Sequence, residues 1–467
     1  HAKLPQHRRP EVSPQLWPAL RECAETAGRP MAEEGGTGPE LEASDGAPMA
    51  GESPEGLEEE EVVEETTTLA EIFGYDNSLQ KAYVAAVNGQ KRKANYLVEQ
   101  SLVMSKESGE PTFFLEAPGN NPLVFSNRLG DADMTIFSQI FVEAIPFLTR
   151  LDLSYNHITD EGTSVLAAGL LGKQARRLVY FNLRGNSVGP RGCDRLCDSL
   201  RQCPSLESFD LSQNKLGRAG GLMVVELVQQ HKKLVEVHLA DTEIDIDVLV
   251  AFSAVLLTEK KSKLQVCNLE NPRIGTLQED HTVHIGRMLR CDTNLRELYL
   301  GKHKMRDDGV RQLVDFLLEN KTLRVLDLRC NELGAEGAKH LGKLLRTDCQ
   351  LTQLNISSNR IGEKSNILGA KELAEALTYN RMLKHFDVNN NMLCGEALQL
   401  IAAAVDANST LESIAIFHNQ WDQLSSYKFH QILNDRARIL PVRADFTTAE
   451  VDLRIDICLV PDFKPVP

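Results

Sequence analysis

One spacing of apolar and polar positions returns ten times along this chain. An apolar residue opens each unit, two more follow at the fourth and sixth positions, and an asparagine or a substitute stands at the ninth. The opening leucines are Leu148, Leu178, Leu206, Leu234, Leu264, Leu295, Leu323, Leu351, Leu383 and Leu411, at steps of 28 to 32 residues. So many returns at one period mark a repeat architecture. In Leu151-Asp152-Leu153, alternation sends the leucines to one face and the aspartate to the other, as in a short strand. The ninth-position asparagine, as at Asn156, is suited to bond backbone groups in a turn that lacks ladder partners. Asn186, Asn214, Asn331, Asn359, Asn391 and Asn419 repeat it.

A second signature follows each strand. An apolar residue precedes a glycine by four at Ile158/Gly162, Val188/Gly192, Leu216/Gly220, Met305/Gly309 and Leu333/Gly337. A missing Cβ there lets an opening helical turn approach its neighbour closely. An amphipathic segment such as Ser164–Leu171 comes next. One strand plus one helix per unit predicts an α/β solenoid with a parallel inner sheet and outer helices. Helices are wider than strands, so the stack bends into a horseshoe. A degenerate strand at Thr112–Glu116 and a helix-like segment at Met134–Ile145 precede the first full unit.

The long period with a full helix per unit resembles the ribonuclease-inhibitor-like class of leucine-rich repeats. That class includes ribonuclease inhibitors, activators of the Ran GTPase, tropomodulin-type domains and several axonemal proteins of cilia. The resemblance implies a leucine-rich repeat solenoid that binds protein. Three irregular segments, Asn271–Ile274, His281–Leu289 and Ile414–Asn419, resemble a narrower group within the class, over about residues 78–460.

The flanks read differently. Residues 1–65 are rich in Pro, Gly and Glu, include Glu58-Glu59-Glu60-Glu61, and read as a disordered acidic tail. Such a tail is a solvating segment or a docking arm for a basic partner. Met31 opens a stretch that reads as a protein start, with 1–30 as upstream sequence. Residues 66–147 read as a helical cap with the degenerate first repeat, 148–420 as the solenoid, and 421–467 as a C-terminal helix and extended cap. A helical stripe from Ser78 to about Ser108 carries Lys91-Arg92-Lys93, read as a solvated helix face or a nuclear localisation signal. At the far end, Gln423–Leu433 reads as helical and Pro441–Val460 as extended. That tail is expected to pair with or fold over the last strand, with Trp421 packed in the cap.

Charge sharpens this division. The chain of 467 residues has a formal net charge of −15, with 66 Asp and Glu against 51 Lys and Arg. Fifteen of the acids, and no Lys or Arg, lie between Pro30 and Gln80. The other 51 balance the 51 bases, so the acidity belongs to one segment. A basic nucleic-acid-binding face is not expected. No run reaches the roughly 18 apolar residues that span a bilayer. The ten cysteines are spread singly, several at apolar repeat positions such as Cys267 and Cys330. They read as reduced and structural, which points to the cytoplasm or nucleus. The glycosylation triplets at Asn320, Asn355 and Asn408 then read as chance matches.

No constellation for catalysis, metal or cofactor stands out. Gly337-x4-Gly342-Lys343 imitates a phosphate loop, but Leu344 replaces the hydroxyl residue and the stretch falls in a repeat helix. His281 and His284 lack a third ligand apart from Asp280 and read as surface or packing residues. Cys193 and Cys197 read as packing within one helix.

The surface left to read is the concave face, where positions three, five and seven point outward. Position five reads Asp152, Asn182, Asp210, His238, Asn268, Tyr299, Asp327, Asn355, Asp387 and Ala415. Glu236, Glu270 and Glu297 add acid, and Arg150, Arg184 and Arg329 oppose it. The face is mildly acidic, either because this repeat favours aspartate there or because it receives a basic protein segment. Repeats four to six break the pattern, with Thr242, Pro272 and His303 in place of asparagine and an irregular connection Pro272–Glu279. Such departures mark drift or a functional site. The candidate protein-binding patch is therefore Glu236, His238, Asn268, Glu270, Glu297, Tyr299, Asp327 and Arg329. The expected function is a non-enzymatic scaffold without cofactor, in a large assembly such as the axoneme of a cilium or flagellum. The alternative is a nuclear or nucleolar protein or a regulator of a small GTPase. The arginine and asparagine that Ran activators place on repeat loops find no match here. Ribonuclease inhibition is disfavoured, because that inhibitor is richer in cysteine.

Overall fold

The computed structural model describes residues 78–107, 112–141, 144–173, 175–258, 262–275, 280–290, 294–435, 442–451, 454–460 and 463. The acidic tail and the start read at Met31 lie outside them. The repeats yield short strands: β1 (Phe113–Glu116), β2 (Leu148–Asp152), β3 (Tyr180–Asn182), β4 (Ser208–Asp210), β5 (Glu236–His238) and β6 (Val266–Asn268). They continue as β7 (Glu297–Tyr299), β8 (Val325–Asp327), β9 (Gln353–Asn355), β10 (His385–Asp387), β11 (Ser413–Ala415) and β12 (Arg443–Ala444). All twelve form one parallel sheet in chain order. A helix follows each repeat strand, from Asp160–Lys173 to Gly395–Ala407, and neighbouring helices stack. The result is the expected α/β leucine-rich repeat solenoid. Apolar side chains at positions one, four and six fill the space between sheet and helices, with Leu206, Phe209 and Leu211 fully buried.

Parallel strands this short need more than ladder bonds to hold register. In nine of the ten repeats, all but the last, the strand ends in a bend whose position-eight residue has positive φ. Tyr155, Gln213, Asp241, Asn271, Lys302, Cys330, Ser358 and Asn390 all lie near +53° to +59°, and Gly185 at +67°. Cys330 is therefore an exposed turn residue and not part of an apolar row, a correction to the sequence reading. The left-handed bend turns its side chain away from the core.

The glycine signature also has a definite cause. Asp131 accepts from the amides of Thr159 at 2.8 Å and Gly162 at 3.1 Å in the next repeat. Asp160 does the same for Gly189 (2.6 Å) and Gly192 (2.9 Å), and Asp307 for Gly334 (2.6 Å) and Gly337 (2.9 Å). Each carboxylate caps the helix beside it, where free N–H groups and the helix dipole favour negative charge. A Cβ at Gly162 would come within 2.3 Å of Asp131 Oδ1.

The ends are closed by aromatic clusters. The stripe read as one helix from Ser78 to Ser108 is two, Ser78–Gly89 and Tyr96–Glu107, broken at Lys91 with φ +57°. Lys91-Arg92-Lys93 thus occupies a turn, and Arg92 meets the buried Asp133 at 2.6 Å. Met134–Ile145 likewise divides into a helix, Asp131–Ile140, and a short turn at Ile145–Phe147. Tyr83, Phe113, Phe137 and Phe141 pack together there. At the other end Trp421, Phe429 and Phe446 pack at 5.0–5.6 Å between ring centres, and Trp421 Nε1 donates to Phe417 O at 2.7 Å. β12 pairs with β11, and the chain then makes an antiparallel hairpin of β13 (Phe446–Val451) and β14 (Arg454–Leu459). Asp445 accepts from Ile416 N at 2.9 Å and Phe417 N at 3.1 Å, filling the place a further strand's carbonyl would take.

Candidate protein-binding face

The ninth-position asparagines form a ladder along the edge of the sheet. Asn214 Nδ2 donates to Leu183 O of the preceding repeat and to Leu211 O of its own, both at 2.9 Å. Its Oδ1 accepts from Val188 N at 2.9 Å. Asn186, Asn331 and Asn359 repeat this set. In the centre the set is thinner. Thr242 Oγ1 donates only to Leu239 O, at 2.7 Å, and His303 Nε2 bonds Leu269 O at 2.9 Å. Pro272 has no donor to offer. The His303 ring lies 5.5 Å from the ring of His281, and both are buried. Burial, with His281 beside it, lowers the His303 pKa to about 3.

Position five has a structural duty. Its side-chain oxygen accepts from the position-seven amide in seven repeats: Asp152, Asn182, Asp210, Asn268, Asp327, Asn355 and Asp387, at 2.7–3.1 Å. Strand register sets these residues in one row, where Asn182 donates to Asp152 at 3.1 Å and Asn355 to Asp327 at 3.2 Å. The interleaved amides keep carboxylates apart that would otherwise repel. Much of the acidity read along this face is therefore turn chemistry. His238, Tyr299 and Ala415 are released from it. Ser212 Oγ accepts from Ala240 N in place of His238, and Asp445 serves the turn after Ala415.

The structure brings the candidate residues together in two groups. Glu297 accepts from the Tyr299 hydroxyl at 2.8 Å, and burial with that carboxylate beside it raises the phenol's pKa. Glu270 and Arg329, two repeats apart, pair directly across repeat six. They meet above Gly301, where a Cβ would stand 3.1 Å from Arg329 Cγ and 3.2 Å from Glu270 Cδ. Lys302 adds a second cation 3.2 Å from Glu270, and Asp241 lies 3.9 Å from Lys302. Glu270 is buried beneath these partners, as is Asp327, whose carboxyl burial raises. Glu236 accepts from Ser208 Oγ at 2.8 Å, while His238 and Asn268 neighbour each other in the row. The sequence reading missed Asp241, Gly301 and Lys302, which complete this network. Asp241 and Lys302 stand at position eight, whose residue types follow no repeat pattern. Asp387, named in the row but left out of the candidate patch, is brought up to about 6 by burial, with Asp445 nearby.

Other candidates resolve simply. Gly337, Gly342 and Lys343 lie within the helix Ala335–Leu345, where a Cβ on Gly342 would stand 2.9 Å from Glu372 O. Cys193 and Cys197 are buried 3.9 Å apart, and the Cys197 thiol is raised by its neighbour and by burial. Asn320 and Asn408 are buried and bond the preceding helix ends at Leu289 O and Leu377 O, both at 2.6 Å. Among the described residues no group of three His, Cys, Asp or Glu is placed to hold a metal, and no helix is long and apolar enough to cross a membrane.

Residues 144–167, 202–225 and 319–342 match the family model described as Leucine Rich repeat. Those stretches of the chain carry leucine-rich repeats. The chain is similar to leucine-rich repeat-containing protein 34 of mouse, with 31% identity over 217 residues, 46% of this chain and 51% of that protein. That match is shorter than the stretch over which the irregular segments suggested a likeness. It is also similar to the ribonuclease inhibitors of mouse, 26% over 301 residues (58% of each chain), and pig, 26% over 334 residues (60% of this chain, 73% of that one). This leucine-rich repeat chain thus resembles the ribonuclease-inhibitor-like class and spans about half the length of the protein 34 relatives it matches.

Proposed function

We propose that this protein is a non-enzymatic scaffold whose concave face, at repeats four to six, grips a protein partner through a basic segment. One observation carries the location. His238 and Tyr299 depart from the turn-capping rule of position five, and both stand on the stretch where the asparagine ladder lapses. Both are half-exposed on the face, Tyr299 with its hydroxyl held by Glu297, and aromatic side chains concentrate binding energy at interfaces. Glu236, Asn268 and Glu297 flank them. The Glu270–Arg329–Lys302 network forms a rigid wall, with Asp327 beneath it, so the patch requires little ordering on binding. The carboxylates of the row favour a cationic segment and steer its approach.

The cellular role that fits such a scaffold is a structural part of a large assembly, such as a ciliary or flagellar axoneme, in the cytoplasm. A second reading, a nuclear or nucleolar protein or a small-GTPase regulator, draws support from the similarity to ribonuclease inhibitors, which by name act by inhibition. Proximity labelling in ciliated cells, comparing the native chain with Glu297→Gln/Tyr299→Ala, tests both. Loss of a set of axonemal proteins from the variant supports the first reading, and loss of nucleolar proteins the second. An unchanged set, with the thermal midpoint also unchanged, removes the concave patch as the binding site.

A further inference from the structure

The opposite rim of the horseshoe, where helices lead into strands, carries a charge pattern that the concave site does not use. Lys232, Lys233 and Lys263 are exposed just before β5 and β6. Lys321, Arg324 and Arg381 continue the line before β8 and β10. Other rim cations are matched: Arg290 with Glu319 at 2.9 Å, Arg346 with Glu372 at 2.8 Å and Lys384 with Glu412 at 2.8 Å. The six named have no carboxylate partner among the described residues. Lys321 donates instead to Asp348 O (3.2 Å), Arg324 to Gln350 O (3.3 Å) and Arg381 to Thr378 O (2.9 Å). An open groove of about 590 Å³ runs between Lys321 and Arg381. Its lining is mixed, with the exposed Tyr379 and Met382 beside the polar Arg346, Asn380 and Asp348.

A row of unmatched cations beside an open groove of mixed lining fits an acidic polypeptide. The chain carries one of its own, with fifteen acids and no base between Pro30 and Gln80. We propose that the acidic segment Glu33–Glu65 docks in cis along this rim, closing it to other acidic chains. The reach is sufficient. Glu65 precedes Ser78 by 13 residues, a tether with a root-mean-square span of about 20 Å. At about 4.8 Å per strand, Lys232 beside β5 lies about 19 Å along the sheet from β1. Glu33 precedes Ser78 by 45 residues, a span of about 37 Å, and β9 lies about 38 Å from β1. A tethered occupant works at an effective concentration near millimolar, so weak contacts suffice. Their strength falls with salt.

The test uses the full chain, a fluorescent poly-glutamate 20-mer and a carbodiimide that joins carboxylates to lysines in contact. Cross-links from Glu33–Glu65 to Lys232, Lys233, Lys263 or Lys321 are expected at low salt and lost at high salt. A variant with Glu58, Glu59, Glu60, Glu61, Glu64 and Glu65 changed to Gln should bind the 20-mer about tenfold more tightly than the native chain. Adding Lys232→Ser, Lys233→Ser, Lys321→Ser and Arg381→Ser should abolish that gain. Equal affinity of native and neutralised chains would overturn cis docking. Binding by neither would overturn the rim itself. Preference for a single-stranded oligonucleotide over poly-glutamate would overturn the assignment of a polypeptide occupant.

Discussion

The flanking repeats and the central ones solve the same problem in different ways. In both, a left-handed bend after the strand, present in nine of the ten repeats, strips backbone groups of ladder partners. In the flanks one asparagine per repeat bonds its own turn, the turn before it and an amide of that neighbour. In the centre Thr242 and His303 each provide less, and long side chains take over. Glu270 and Arg329 tie repeats five and seven together directly, over Gly301, with Lys302 alongside. The flanks are locally satisfied, except that the buried Oδ1 of Asn391 has no partner while Asn419 accepts twice; the centre depends on contacts that skip a repeat. On the same central stretch His238 and Tyr299 are relieved of the position-five turn bond.

The sharpest way to break the comparison is to remove one residue of each kind. Asn214→Ala leaves Leu183 O, Leu211 O and Val188 N buried without their partner. At about 1–3 kcal/mol for a buried polar group left unsatisfied, with partial relaxation, the expected loss is about 3 kcal/mol. Thr242→Ala removes one hydrogen bond and should cost about 1 kcal/mol. Urea denaturation midpoints measure both. Equal losses would mean that the ladder has no special role in the flanks.

Acid should expose the centre selectively. Folding keeps His303 neutral down to about pH 3, whereas the unfolded imidazole takes its proton near 6.5. The unfolded state therefore binds more protons below pH 6.5, and stability falls as pH drops through that value toward 3. Between pH 7.5 and 5.0 the contribution is about 2 kcal/mol, at about 1.4 kcal/mol per unit below 6.5. His303→Asn restores the amide of the flanking repeats and removes this titration. Unfolding free energies of native and variant chains at the two pH values should diverge by that amount. Parallel pH profiles would show that His303 is not held neutral by the fold.

The repeats were legible in the sequence because strand, turn and helix each impose a spacing of their own. Leu148, Leu178 and their successors needed no tertiary information, and Asn156 announced its turn by residue type alone. The patch was only half legible. His238 and Tyr299 stood out as departures, but the duty that makes them departures, an oxygen accepting from the amide two residues on, emerges only from geometry. Glu270 and Arg329 lie 59 residues apart, and nothing in their spacing says that they meet. Lys91-Arg92-Lys93 was misplaced for a similar reason. The partner that draws Arg92 into a turn is Asp133, in another helix.

The smallest effect separates the bend from the ladder. Eight of the nine position-eight residues with positive φ are not glycine, and each bears the cost of a Cβ in the left-handed region. Cys330 is the cleanest case, since it is exposed and sits at φ +53°. Cys330→Gly relieves the bend while leaving Asn331 and its bonds to Leu300 O and Leu328 O in place. Part of the gain is returned through the greater freedom of glycine in the unfolded chain, so the net stabilisation should be about 0.5 kcal/mol. The same change at Ser358 also removes the hydroxyl that accepts from Asn390 Nδ2 at 3.2 Å, and should gain less. If Cys330→Gly instead destabilises the chain by about 1 kcal/mol in a urea titration, the bend is held by the repeat without strain. The asparagine would then serve hydrogen bonding alone, with no strained turn to hold in place.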